Sequence, residues 1–131
     1  MRSKTSNPSR DAFYDSPKWN RLRLSALRRD SYMDMECKRY GKVKRAEIVH
    51  HIFPKDEYPE YAYCLWNLIS LSRQSHNEMH DRDTDELTEK GRDLLRRTCR
   101  KRNMSIPEKY DDSKRKKTGR IRRDTYYEYK G

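Results

Sequence analysis

Apolar positions recur at helical spacing near the start of the chain, in the segment "DSPKWNRLRLSALRRDS". The apolar stripe consists of Trp19, Leu22, Ala26 and Leu27. Residues three and four apart share one face of a helix, so the spacing predicts a helix that packs this stripe against a core. Asp15 or Ser16 can cap its N-terminus, and Pro17 suits its first turn, where the missing amide donor costs nothing.

The middle of the chain changes to short apolar runs separated by polar and proline-containing segments. The run "AEIVHHI" is rich in β-branched residues and predicts a strand, and "NLISL" predicts a second one. Between them, "FPKDEYPEYAYCLW" predicts a long loop, and residues 31–45 predict irregular structure with a turn at Gly41.

Two further helices are expected after the second strand. "SRQSHNEMHDR" predicts a short helix begun near Ser72, and "DTDELTEKGRDLLRR" predicts another, with Asp83 and Glu86 at capping-box spacing. The order helix, strand, loop, strand, helix, helix predicts an α+β fold.

Charge is unevenly distributed along the 131 residues, of which 40% are charged and 32% hydrophobic. Residues 1–95 carry a net charge of +2 and residues 96–131 one of +9. This pattern predicts a flexible N-terminus over 1–12, one folded domain over 13–100, and a basic extension over 101–131 that is disordered on its own. A strongly basic extension favours an acidic partner, most simply nucleic acid, and the alternative is a solubilising tail.

The sequence gives no sign of a membrane or secretory destination. No stretch approaches 18 apolar residues, and the start "MRSKTSNPSR" lacks the apolar core of a signal peptide. The three cysteines are odd in number and widely spaced, which fits reduced thiols. We therefore expect the protein to act in the cytoplasm and not at a membrane.

All four histidines of the chain lie between Glu47 and His80. His76 and His80 are four residues apart, so a helix would place both imidazoles on one face, where they can bind one cation. Neighbouring side chains of a strand point to opposite faces, so one histidine of the pair His50-His51 can bind the metal while the other accepts a proton. A metal and a free base together can hydrolyse a phosphodiester. The alternatives are a structural zinc site or surface histidines without a function.

These segments together resemble a known family. "IVHHIFP" and "NLISLSRQSHNEMH" resemble the motif of the HNH endonucleases, and "FYDSPKWNRLRLSALRRDS", "YPEYAYCLWNLISL" and "LTEKGRDLL" resemble the flanking segments of the small HNH proteins of phages and prophages. The resemblance runs from Phe13 to about Leu95. It implies a ββα-metal finger, also called a His-Me finger, flanked by N-terminal and C-terminal helices and followed by the basic tail.

The resemblance also implies roles for individual residues. His51 matches the general base of the motif, and Asn67 matches the motif asparagine, whose side chain braces the long loop and helps to position the base. A residue of the turn before the second strand is the alternative reading of Asn67. The implied metal ligands are His50, His76 and His80, and His80 matches a ligand found only in some branches of the family.

The sequence departs from the pattern of many phage HNH proteins, in which two Cys-x-x-Cys pairs hold a structural zinc. Here the corresponding positions are Cys37 with Tyr40 and Ser72 with Ser75, and hydroxyl groups are poor zinc ligands beside thiolates. Structural zinc is therefore not expected. We expect burial of Trp19, Leu22, Tyr40 and Leu71 to hold the first helix to the finger instead.

The implied function is hydrolysis of DNA phosphodiester bonds, by nicking or double-strand cleavage, with one divalent ion (Mg, Mn, Ni or Zn), leaving 5′-phosphate and 3′-hydroxyl ends. The resemblance further implies a phage or prophage origin, a bacterial host cytoplasm, and a place near genome packaging beside a phage terminase. Candidate DNA contacts are Arg28, Arg29, Arg73, Arg82, Lys114, Arg115, Lys116 and Lys117. Two alternatives are a non-cleaving DNA-binding module that keeps the metal finger and, with less support, an RNA-acting toxin.

Overall fold

The structure is a computed structural model that describes residues 8–112, with side chains from residue 12 onward. Its helices and strands are α1 (Pro8–Asp15), α2 (Pro17–Arg29), α3 (Met35–Arg39), β1 (Ile48–His51), β2 (Leu68–Leu71), α4 (Arg73–Asn77) and α5 (Glu89–Arg102). The combination of helices with a two-stranded antiparallel sheet confirms the α+β prediction. None of the helices in the described part is long and apolar enough to cross a membrane.

The strands β1 and β2 pair in a register that runs from Ile48 opposite Leu71 to His51 opposite Leu68. One more hydrogen bond continues the ladder, since the amide of Ile52 donates to the carbonyl oxygen of Asn67 over 2.8 Å. The long loop between the strands therefore begins and ends at one point, directly beside His51.

Helix α2 packs its predicted apolar face on this sheet. Ser16 caps the helix, because its side chain accepts a hydrogen bond from the amide of Trp19. The core cluster joins the helix to both strands and consists of Trp19, Ala26, Leu27, Ala46, Val49 and Leu68, with Leu22 packed against it. The predicted stripe is thus confirmed, and burial of these side chains holds α2 in place.

Two buried aspartates cover the outer edge of β2, the edge that does not face β1. The amide of Ser70 donates to the carboxylate of Asp30 over 3.1 Å, and the amide of Ser72 donates to that of Asp34 over 2.9 Å. Unpaired amides at a strand edge must find acceptors when they are buried. The two carboxylates thus accept hydrogen bonds from amides that would otherwise pair with a third strand.

Asp34 also bonds to Cys37 and Ser72, two of the positions in the zinc-knuckle pattern from which the sequence departs. Its other carboxylate oxygen accepts from the amide of Cys37 at the start of α3, a short helix that was not predicted in 31–45. Burial alone would raise the pKa of Asp34, but hydrogen bonds from Ser75, Ser72 and the backbone outweigh burial and lower the pKa to about 2. The prediction that Tyr40 helps by burial is wrong, because Tyr40 is 68% exposed.

The start of α5 differs from the prediction. The helix begins at Glu89, and the hydroxyl of Thr88 accepts from the amide of Gly91 over 3.2 Å. Thr88 therefore supplies the cap that was assigned to Asp83 and Glu86.

Within the described residues, 92–112 belong to a second compact unit. Helix α5 continues to Arg102, so the predicted boundary after residue 100 falls inside the helix. Arg96 is buried, donates to the carbonyl oxygen of Tyr110 and forms an ion pair with Asp112 over 3.1 Å. The residues just after the helix are thus bound to it as far as Asp112, and the rest of the basic extension lies outside the described residues.

Candidate metal centre and general base

Three of the four histidines converge on one point. His50 comes from β1, His76 from α4, and His80 from the segment after α4. One ligand nitrogen from each lies within 4.8 Å of the others, and this is the one group of its kind among the residues that the structure describes. Three imidazole nitrogens at this spacing can bind a single divalent cation.

His80 joins the cluster by a different route from the predicted one. Helix α4 ends at Asn77, where the amide of Glu78 bonds to the carbonyl oxygens of Ser75 and His76. His80 lies beyond the helix and pairs with Leu87 in an isolated β-bridge. The interpretation of His76 and His80 as two positions on one helical face is therefore wrong, although the centres of their rings lie 5.5 Å apart.

The imidazole of His50 is the most deeply buried of the three, at 2% exposure. Its Nε2 atom has no hydrogen-bond partner within the described part of the chain. Burial, followed by the positive charges that His80 and His76 would carry, holds the pKa of His50 well below its ordinary value. A neutral imidazole with a free, buried nitrogen is costly unless a ligand occupies it, and it is the form that binds a metal. The donor set therefore fits a divalent cation.

A carbonyl group orients His80. The Nδ1 atom of its ring lies 3.3 Å from the carbonyl oxygen of Asp85, and a carbonyl only accepts. Nδ1 must then carry the proton, which leaves the lone pair on Nε2. Asp85 has a φ of +66°, a left-handed conformation that is uncommon for a residue other than glycine.

His51 points away from this cluster and is held by other groups. Its Nε2 atom lies 3.0 Å from the carbonyl oxygen of Ala62, and its ring stacks on Trp19 at 5.1 Å with an angle of 24°. Since Nε2 donates to the carbonyl, Nδ1 is the nitrogen with the lone pair. Burial lowers the pKa of His51, the hydrogen bond to Ala62 opposes that effect, and the ammonium of Lys55 lowers the pKa further. This ring is a neutral base near pH 7.

Asn67 fixes the loop that carries Ala62. It is fully buried, and its side-chain oxygen accepts from the amide of Phe53 over 2.7 Å. Its side-chain nitrogen donates to the carbonyl oxygens of Phe53 and Tyr61, each over 3.2 Å. Asn67 therefore ties both ends of the loop together one residue away from the carbonyl that holds His51.

A comparison with solved structures finds a similar protein. The HNH endonuclease of the deep-sea thermophilic bacteriophage GVE2, crystallised with a manganese ion, is 38% identical, and the match covers 54% of this chain and 77% of that one with a TM-score of 0.52. This chain belongs to the HNH endonuclease family. No family model and no curated protein matches it.

The basic residues proposed as DNA contacts of this HNH protein fall into three groups. Arg28, Arg73 and Arg82 are exposed, and Arg73 lies 3.6 Å from a carboxylate oxygen of Glu47. Lys114, Arg115, Lys116 and Lys117 lie outside the described residues.

Arg29, the third case, is engaged within the protein. It donates twice to the carboxylate of Asp30 and once each to the carbonyl oxygens of Leu65 and Leu68. Four of its five N–H donors are thus used to fix the end of α2 to β2. These contacts give Arg29 a structural task, and its contact with DNA stays a prediction.

The sequence analysis gave no role to Lys55, which lies in the loop between β1 and β2, four positions after His51. Its ammonium lies 4.8 Å from the ring centre of Phe13 and 5.6 Å from that of Tyr14. Both aromatic residues belong to α1, a helix that begins inside the segment predicted to be flexible. No periodicity or motif marks Lys55, so only the fold could bring it to notice.

Proposed function

We propose that this HNH protein is a divalent-metal-dependent endonuclease that hydrolyses phosphodiester bonds of DNA. One observation carries the proposal: a cluster of three histidine nitrogens within 4.8 Å lies beside a fourth imidazole with its own support. His50 and His51 are adjacent in one strand, so their side chains point to opposite faces. The ring of His50 joins the histidine cluster, and the ring of His51 meets the Ala62 carbonyl.

In this proposal His50, His76 and His80 hold the metal. When bound, a divalent cation would neutralise charge on the phosphate and stabilise the leaving oxygen. Imidazole donors suit Ni²⁺ and Zn²⁺, whereas Mg²⁺ and Mn²⁺ prefer oxygen ligands. The GVE2 relative was crystallised with a manganese ion, which keeps Mn²⁺ among the candidate ions.

His51 acts as the general base. Its Nδ1 atom accepts a proton from the attacking water, and the Ala62 carbonyl then stabilises the imidazolium through the Nε2–H group. Trp19 restricts the ring by stacking, and Asn67 holds the loop that presents the carbonyl. The base is thus oriented before the substrate arrives, which lowers the entropic cost of reaching the transition state.

DNA is the proposed substrate because of the family and the charge. Exposed arginines on the domain and the basic extension would bind the phosphate backbone, largely without sequence preference. We also propose a phage or prophage origin, action in a bacterial cytoplasm, and a place near genome packaging beside a terminase. The phage source of the GVE2 relative supports the origin, and the packaging role rests on analogy.

Plasmid cleavage tests the proposal. Supercoiled plasmid is incubated with the metal-free protein and with Mn²⁺, Ni²⁺, Zn²⁺ or Mg²⁺ added singly, and the conversion to open-circular and linear forms is measured. We expect cleavage with Mn²⁺ or Ni²⁺, its loss with excess chelator, and 5′-phosphate ends. Plasmid binding without conversion under every metal would favour the non-cleaving DNA-binding module.

A further inference from the structure

Lys55 and His51 share one pair of aromatic rings. The ring centres of Phe13 and Tyr14 lie 5.8 Å and 6.4 Å from that of His51, and the Lys55 ammonium lies over the same two rings. A positive charge within about 6 Å of an aromatic face is attracted to it. Helix α1 therefore restricts the ammonium group of Lys55 and the ring of His51 through the same two aromatic side chains.

The position of this ammonium is unusual for a lysine. Its side chain is only 15% exposed, although lysine is a flexible residue that normally extends into water. Its ion pair with Asp56, at 3.0 Å, leaves most of the positive charge uncompensated, because the Asp56 side chain is 71% exposed and its field is screened by water.

The restricted ammonium group of Lys55 supplies a positive charge at the two rings that also contact the proposed base. An anion that arrives there is attracted by this charge, and the exposed carboxylate of Asp56 offsets little of that attraction. The arrangement is therefore complementary to a phosphate group and to the additional negative charge that develops on it during hydrolysis.

We propose that Lys55 contacts the phosphate group under attack and stabilises the charge that develops on its non-bridging oxygens. This proposal rests on the nuclease function proposed above. Lys55 differs from the candidate surface arginines in that the aromatic rings restrict it before DNA binds. It should thus contribute to the rate of cleavage more than to the affinity for DNA.

Two methionine variants and one arginine variant test this role. Lys55→Met keeps the apolar part of the side chain over the rings and removes the charge. Lys18→Met is the matched control, since the Lys18 ammonium lies 4.0 Å from the ring centre of Tyr63, which itself contacts Phe13 at 4.9 Å. Lys55→Arg keeps the charge. For each variant we would measure kcat and KM with Mn²⁺, the affinity for Mn²⁺, and the salt dependence of DNA binding.

We expect Lys55→Met to lower kcat by about 10²-fold, as for the loss of one charge-stabilising group, while Mn²⁺ affinity stays at the wild-type level. The log–log slope of DNA binding against salt should fall by about 0.9, the value for one phosphate contact. Lys18→Met should leave kcat close to wild type, and Lys55→Arg should recover most of it.

Equal losses of kcat in Lys55→Met and Lys18→Met would overturn the assignment, since they would show only a general loss of ring contacts or charge. Loss of Mn²⁺ binding in Lys55→Met would overturn it as well. If the wild-type protein cuts no plasmid with any metal, the proposed nuclease function fails instead. The salt slope then decides whether Lys55 still binds phosphate.

Discussion

The Nε2 atom of His51 lies 3.0 Å from the carbonyl oxygen of Ala62, eleven positions further along the chain. This contact distinguishes the two ring nitrogens, because the nitrogen that donates to the carbonyl leaves the lone pair on Nδ1, the atom proposed as the base. His50, the preceding residue, shows the opposite condition: its Nε2 atom is buried and lacks a partner in the described part. Two adjacent histidines thus have different environments, and mutation can test the separate roles proposed for them.

His51→Ala should abolish cleavage and keep the metal. Loss of a general base typically lowers the rate by about 10²–10⁴-fold, and His51 points away from the three ligand nitrogens. Plasmid cleavage and calorimetric titration with Mn²⁺ would measure the two properties. His50→Ala is the reciprocal control and should lose the metal. A His51→Ala protein that no longer binds Mn²⁺ would contradict this division of roles.

Asn67→Asp should lower kcat without affecting the affinity for Mn²⁺. The aspartate keeps the oxygen that accepts from Phe53 but loses the two donations to the carbonyl oxygens of Phe53 and Tyr61. Each buried carbonyl left without its donor costs about 1–3 kcal/mol, and the loop that presents Ala62 should become mobile. Chemical denaturation and steady-state kinetics would measure both effects. Unchanged kcat in a destabilised variant would restrict Asn67 to a role in folding.

Much of the HNH site could be predicted from the sequence because its histidines stand on short, regular elements. The strand pattern placed His50 and His51 on opposite faces, and Ser72 marked the start of α4. The way in which His80 reaches the cluster could not be predicted, because it depends on a turn and on a β-bridge to Leu87 after the helix has ended. Contacts between distant segments leave no local pattern.

The same limit explains the two aspartates at the edge of β2. Asp30 and Asp34 read as ordinary polar residues near the end of a helix, and their partners Ser70 and Ser72 lie about 40 positions away. The departure from the zinc-knuckle pattern was visible at Cys37, but the hydrogen bonds that the buried carboxylate of Asp34 accepts from Cys37 and Ser72 were not. Only the fold shows which acceptor meets which amide.

Asp34→Asn should lower stability at neutral pH and flatten its decline in acid. The folded-state pKa of about 2 lies below the ordinary value of 3.8, so this carboxylate stabilises the fold above the ordinary value. The shift corresponds to about 2 kcal/mol, which is lost as the pH falls from about 4 to about 2. Urea denaturation of the metal-free protein between these pH values and neutrality would measure it. Asp83→Asn, which changes an exposed carboxylate, is the control. If the free energy of unfolding of wild type and Asp34→Asn declined equally in acid, the lowered pKa would not belong to Asp34.

Arg29→Met should reduce the stability of the fold, and Arg28→Met should reduce the affinity for DNA. Arg29 uses four donors on Asp30, Leu65 and Leu68, whereas the neighbouring Arg28 is exposed on the same helix. Loss of hydrogen bonds from a charged group costs about 1.5–3 kcal/mol. Thermal denaturation and DNA binding at several salt concentrations would distinguish the pair. A lower salt slope in Arg29→Met with unchanged stability would contradict the structural role and support the predicted contact of Arg29 with DNA.

Truncation after Asp112 should weaken DNA binding and leave the metal site intact. Residues 113–131 contain eight Lys or Arg against two acidic residues, and each phosphate contact adds about 0.9 to the log–log salt slope. The cut belongs after Asp112 because a cut after Arg100 would shorten α5 and remove two partners of Arg96, the carbonyl of Tyr110 and the carboxylate of Asp112. Anisotropy titrations with a DNA duplex over a range of salt would give the slope, and calorimetry with Mn²⁺ would check the metal site. A truncated protein with the wild-type slope would instead assign the basic extension to an acidic protein surface, for which a terminase subunit is the first candidate to test.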